Sequence, residues 1–201
     1  MRELWISIRM TVILTLLLGL LYPVAMTAIG YAIFPRQAEG SLLAQNNSIV
    51  GSELIGQSFT SAKYFHSRPS AAGNGYDAGN SSGSNLGPTN KQLIDRVNAS
   101  VASSQADNPG QPVPVDLVTT SGSGLDAHIS PAAAEFQVAR VAKQRGINAD
   151  ELQQLIAKHT EGRQLGFLGE PRVNVLELNL ELDERHPVKK QAEAELSVPQ
   201  G

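Results

Sequence analysis

The sequence predicts an α+β protein, with a single N-terminal transmembrane helix followed by one soluble domain of about three helices and a small sheet. Three observations point there. Residues 10–34, MTVILTLLLGLLYPVAMTAIGYAIF, form one uncharged apolar run, and nothing later in the 201 residues resembles it. Beyond residue 89, three segments open with helix-capping signals. Residues 113–119 and 176–183 read as strands, the first β-branched and the second alternating apolar with polar.

The apolar run sets the anchor. Twenty-five helical residues rise roughly 37 Å, enough to cross a hydrocarbon core of about 30 Å with some tilt. A cleaved secretory signal has an apolar region of about 7–15 residues ending at a small-x-small site. Here the only such site, Gly30-Tyr31-Ala32, is followed by more apolar residues, so the run reads as uncleaved. Pro23 lies mid-span and reads as a kink, while Gly19 and Gly30 permit close approach of another helix. All three are candidate interaction positions. Arg2 and Arg9 precede the span and only Arg36 follows it before Lys63, which places residues 1–9 in the cytoplasm and the C-terminal domain in the periplasm.

From Arg36 onward the chain carries 14 basic and 18 acidic residues, a balance unsuited to nucleic acid, which requires a basic patch. The absence of Cys excludes disulfides and thiolate metal sites. Residues 35–47 read as a juxtamembrane linker, 48–186 as the periplasmic domain and 187–201 as a flexible charged tail. Ile49 to Gly56 suggests a short strand pair or turn. Residues 59–69 form an aromatic cluster in which Tyr64, Phe65, Arg68 and Pro69 are interaction candidates, and residues 66–90 form a long Gly/Asn-rich loop.

The helices follow in order. Thr89 as N-cap with Gln92 at the third helical position predicts a helix near 90–104, with Leu93, Ile94, Val97 and Val101 on one stripe. Ser130 and Pro131 open a second helix that Gly146 ends. Asn148 caps a third, running to about Thr160 with Leu152, Leu155, Ile156 and His159 on its apolar side. Between the first two, Val113 to Thr119 is expected as an edge strand because Pro112 and Pro114 flank or interrupt it. Leu176, Leu178, Leu180 and Leu182 then alternate with Glu177, Asn179, Glu181 and Asp183, predicting a half-exposed strand.

Walker A and Rossmann glycine patterns are missing, and the four histidines show no metal-ligand spacing. Gly79 to Gly83 matches a hydrolase GxSxG pattern but lies in loop, without the required strand and helix. The densest polar constellation is Asp116 to Ser130. Ser121, Gly122, Ser123 and Gly124 are candidates for a phosphate-cradling or interface loop, with Asp126 placed to orient His128. The same residues also suit a tight connection that caps the helix at Ser130. A membrane-tethered enzyme using the Ser121–His128 loop, or an envelope-binding domain, therefore stands beside a purely structural role.

Five ordered stretches carry a resemblance: LIGQSF from Leu54, YFHSRPSAAG from Tyr64, SNLGPTN from Ser84, VTTSGSGLDAHIS from Val118 and VNVLELN from Val173. Together, behind one N-terminal span, they resemble the C subunit of the bacterial Kdp potassium-transporting ATPase, the KdpC family. The resemblance implies a non-catalytic accessory subunit of a high-affinity, ATP-driven potassium uptake pump in the bacterial inner (cytoplasmic) membrane. Its implied partners are a channel-like potassium-binding subunit and a P-type ATPase subunit, with membrane lipid around the span. It also implies assembly and stabilisation of the complex, and a catalytic-chaperone role that raises ATP affinity. No cofactor is expected to bind tightly, and ATP only through the ATPase subunit. A periplasmic domain cannot touch cytoplasmic ATP, so any such effect is expected to be indirect.

Overall fold

A computed structural model describes residues 1–45 and 47–187. The expected tail beyond Pro187 lies outside the described residues. The chain divides into two compact units, Met1–Ser52 and the remainder from Glu53.

The first unit is dominated by an apolar helical stretch, Arg2–Ile33, 32 residues and long enough to cross a membrane. It comprises α1 (Arg2–Leu16), a π-helical turn (Leu17–Leu21) and α2 (Tyr22–Ile33). The π turn has a cause. Pro23 has no N–H to offer the carbonyl of Gly19 and its ring crowds that turn, so the helix widens just before it, with Tyr22 N–H reaching Leu17 O. The local widening stands where the kink is expected. Gly19 and Gly30 face open space, and a Cβ added at either would have no neighbouring atom within 4 Å.

After α3 (Pro35–Ala38), strands β1 (Leu42–Gln45) and β2 (Ser48–Ser52) form an antiparallel hairpin. The register slips between Leu43 and Ala44, as at a β-bulge. Residues 35–47, read as linker, therefore contain a short helix and a strand, and the pairing expected from Ile49 begins earlier in the chain.

The second unit is mixed. Helices α4 (Lys91–Asp107), α5 (Pro131–Arg145), α6 (Ala149–Lys158) and α7 (Val175–Arg185) surround a three-stranded antiparallel sheet. Its strands are β3 (His128–Ile129), β4 (Thr160–Glu161) and β5 (Arg172–Asn174), in the order β3-β5-β4. Val173 is central, opposite Ile129 on one side and Thr160 on the other. The core gathers Phe65, Ile129, Val141, Ile156, Val173 and Leu178, with α5 at its heart.

Caps fix the helices. Ser130 Oγ accepts Ala133 N–H at 3.2 Å, Pro131 occupies the first turn, and Gly146 closes α5 at φ 69° in the left-handed region. Asn148 caps α6, which ends at Lys158 rather than Thr160. The first expected cap shifts by one residue: Asn90, not Thr89, accepts Gln92 N–H at 2.8 Å, and α4 continues to Asp107.

Two expected strands are helical. Residues 113–119 contain a 3-10 turn, Val115–Leu117, entered through Pro114 and tightened by Thr119 Oγ1 donating to Val115 O at 2.8 Å. The flanking prolines lack the N–H groups a strand ladder uses. The alternation at 176–183 also misleads. Val175, Leu178, Asn179 and Leu182 are buried, at helical spacing, while Leu180 is only partly covered. Asn174 Oδ1 accepts Leu176 and Glu177 N–H and starts α7, and Leu and Glu favour helix over strand.

Candidate functional site

The Ser/Gly loop and the long Gly/Asn-rich loop are packed against each other. Ser70 Oγ donates to Gly124 O at 2.6 Å and accepts Ala72 and Tyr76 N–H. Ser82 N–H and Ser81 Oγ both donate to Ser123 O at 2.9 Å. The glycines are forced by this proximity. A Cβ on Gly124, whose φ is +69°, would stand 2.5 Å from Ser82 O, and one on Gly56 would stand 2.4 Å from Asp126 O. Ser121 is buried, whereas Gly122 and Ser123 are exposed. The loop meets its neighbours through carbonyl oxygens, those of Ser123 and Gly124.

Beyond the loop, Asp126 joins three partners. Its Oδ1 accepts His128 N–H at 3.0 Å and lies 3.8 Å from His128 Nδ1, while Oδ2 accepts from Arg68 at 3.3 Å. Burial pushes the Asp126 carboxyl up, but the His128 hydrogen bonds and the Arg68 charge outweigh it and hold its pKa below the usual value. Arg68 also reaches Thr119 Oγ1 and Thr120 O. Asp116 accepts Ser130 N–H at 2.7 Å. Arg68, Asp116, Asp126, His128, Ser130 and Arg172 line an open cleft of about 480 Å³. The sequence pairing of Asp126 with His128 is therefore real. Among the described residues, however, no serine hydroxyl is hydrogen-bonded to His128, so the triad logic of an activated nucleophile lacks its first member.

The aromatic cluster is held from two helices. Phe65 is fully buried, its N–H donating to Asn179 Oδ1 and its carbonyl accepting Asn179 Nδ2, both at 2.9 Å. Gln137 treats His66 in the same way, accepting its N–H at 2.8 Å and donating to its carbonyl at 3.1 Å. Two buried amides thus pair with consecutive peptide units as a neighbouring strand would. Arg140 donates to the carbonyls of Ala62 and Tyr64, and Arg145 to that of Lys63. Arg145 also lies 4.7 Å from the Tyr64 ring centre, and both contact Asp183. Burial raises the Tyr64 pKa, and the Asp183 carboxylate adds to it. Pro69 lines a separate cavity of about 210 Å³ with His66, Asp107 and Arg140. Gly19, Pro23 and Gly30 belong to the membrane helix, a different unit.

Sequence reasoning missed Asn179, Gln137 and Arg140. Nothing in their own neighbourhoods signals the role, because their partners are backbone atoms more than seventy residues away. It also missed a turn at Arg163–Glu170 that exposes Leu165, Phe167 and Leu168. Apolar residues between glycines there were the only signal.

The family described as KdpC, K+-transporting ATPase, c chain, matches residues 4–184. A potassium-transporting ATPase KdpC subunit of Koribacter versatilis is 59% identical over 182 residues, covering 90% of this chain and 94% of its own length. The subunit of the same name from Rhodopseudomonas palustris is 55% identical, covering 91% and 98%. That of Acidobacterium capsulatum is 54% identical, covering 92% and 100%.

Proposed function

Because this chain belongs to the KdpC family, the c chains of K+-transporting ATPases, we propose that it is a non-catalytic subunit that assembles and stabilises an ATP-driven potassium uptake pump. Its partners are a channel-like potassium-binding subunit and a P-type ATPase subunit. The observation that carries this reading is the loop architecture: Ser70, Ser81 and Ser82 bind the Ser/Gly loop through its carbonyls, and Asp126 is spent on Arg68 and the His128 backbone. Such a loop is scaffolding for an interaction surface rather than a reaction centre. Phe65 and His66, clipped by Asn179 and Gln137, give that surface a rigid base.

The soluble domain lies in the periplasm, because Arg2 and Arg9 precede the span and Arg36 alone follows it closely. ATP therefore binds only to the ATPase subunit. Any rise in nucleotide affinity caused by this chain reaches that subunit through the membrane helix and the complex, not through direct contact. Purification of the tagged full chain in mild detergent tests the assembly role. Co-elution of two large membrane proteins is expected; a lone chain with hydrolytic turnover of its own would overturn it.

A further inference from the structure

Between β4 and β5 the chain makes a narrow turn that holds apolar side chains in water. Gln164 and Leu168 exchange two backbone hydrogen bonds of 2.9 Å, and Gly166 and Phe167 N–H close the tip onto Arg163 and Gln164 carbonyls. Leu165 sits at φ 52°, where a branched side chain is strained, and Gly166 and Gly169 follow at 82° and 77°. The outcome is Leu165, Phe167 and Leu168 exposed by 84%, 68% and 48%. Every residue from Glu161 to Arg172 is exposed, yet β5 roots the turn in the core through Val173. Strain and fixed hydrogen bonds spent on displaying three hydrophobes mark a contact element.

The charges beside the tip select its partner. Arg163 pairs with Glu170 at 2.7 Å and Arg172 with Glu161 at 2.8 Å, so the tip is ringed by charges that neutralise one another. An anionic bilayer surface recruits unpaired Lys or Arg, and interfacial anchoring favours Trp and Tyr; the tip offers neither. Three side chains fall short of the roughly 800 Å² per partner that a free-standing interface buries, so the tip suits a chain already held to this one by other contacts. An apolar centre within a self-satisfied polar rim is instead the anatomy of a protein hot spot.

We propose that the Arg163–Glu170 finger inserts into an apolar recess, with an uncharged or charge-balanced mouth, on a membrane-subunit partner of this chain. The proposal rests on the subunit reading above. The finger is one anchor of a larger contact, and tethering by the span raises its effective concentration.

The test uses the full chain co-expressed with the channel-like and ATPase subunits, carrying Phe167→benzoylphenylalanine, with Gln105→benzoylphenylalanine on the exposed side of α4 as control. Irradiation of the purified complex is expected to join position 167, but not position 105, to one membrane subunit. In parallel, Leu165→Ser with Phe167→Ser is expected to leave the thermal unfolding of the chain unchanged and to lower complex recovery after dilution about tenfold or more, the size of a lost hot spot. If the complex co-elutes but position 167 joins lipid, a second copy of the chain or nothing, the finger proposal is overturned and the subunit reading stands. If the unsubstituted chain co-elutes with no membrane partner, the subunit reading falls and the finger proposal with it.

Discussion

Asn179 on α7 and Phe65 in the aromatic cluster exchange two 2.9 Å hydrogen bonds across 114 residues of sequence. Phe65 is wholly buried and Asn179 is 1% exposed, so neither backbone group has water as an alternative. Together with the Gln137–His66 pair, this clip joins the segment before the long loop to both central helices.

Asn179→Leu should therefore destabilise the domain severely. It strands one N–H and one carbonyl, each costing about 1–3 kcal/mol when buried and unpaired. Thermal unfolding of the detergent-solubilised chain should fall by many degrees. An unchanged midpoint would mean that the clip contributes nothing.

The glycines separate scaffold from ligand cradle. Gly56→Ala and Gly124→Ala should impair folding, since each new methyl meets a backbone oxygen at 2.5 Å or less. Gly122→Ala meets nothing within 4 Å and should be tolerated in both stability and assembly. A phosphate cradle would instead lose binding on Gly122→Ala, and phosphate titration of the variant and parent chains compares the two.

Glu181 gives a pH signature. Hydrogen bonding from Lys158, with further bonds from His159 and Arg185, holds its carboxyl well down, from 4.5 to about 2, against burial that raises it. A carboxylate depressed on folding stabilises above its unfolded pKa and loses that contribution as the pH falls through the folded one. Between about pH 4.5 and 2 the parent chain should lose stability faster than Glu181→Gln. Parallel melting curves over that range would expose the opposite order.

Topology is open to direct labelling because the chain has no Cys. Ser103→Cys, on the exposed face of α4, should react with an impermeant maleimide in cells whose inner membrane is intact. Labelling only after that membrane is broken would put the domain in the cytoplasm and make contact with ATP feasible.

How much of this was legible in the sequence depends on the reach of each signal. The apolar span, the Ser130–Pro131 start, the Gly146 stop and the Asn148 cap are written within a few residues, and the structure has them there. Helix α7 reads as a strand because Leu at every second position satisfies strand spacing, while Val175, Leu178, Asn179 and Leu182 satisfy helix spacing equally well. Burial decides between them. Asp126 and His128 are neighbours, so their pairing is visible; the carbonyl-facing character of the Ser/Gly loop is not, because Ser70, Ser81 and Ser82 lie some forty residues or more upstream.

The most direct test of the central claim is ATPase turnover per assembled complex carrying His128→Ala. If the Asp126–His128 pair is scaffolding, the variant loses activity only in proportion to complex lost, and turnover per intact complex stays within about twofold of the parent. Positioned acid–base groups contribute about 10²–10⁴ to rate. A fully assembled complex whose turnover has dropped a hundredfold or so would contradict the account and make His128 a working group.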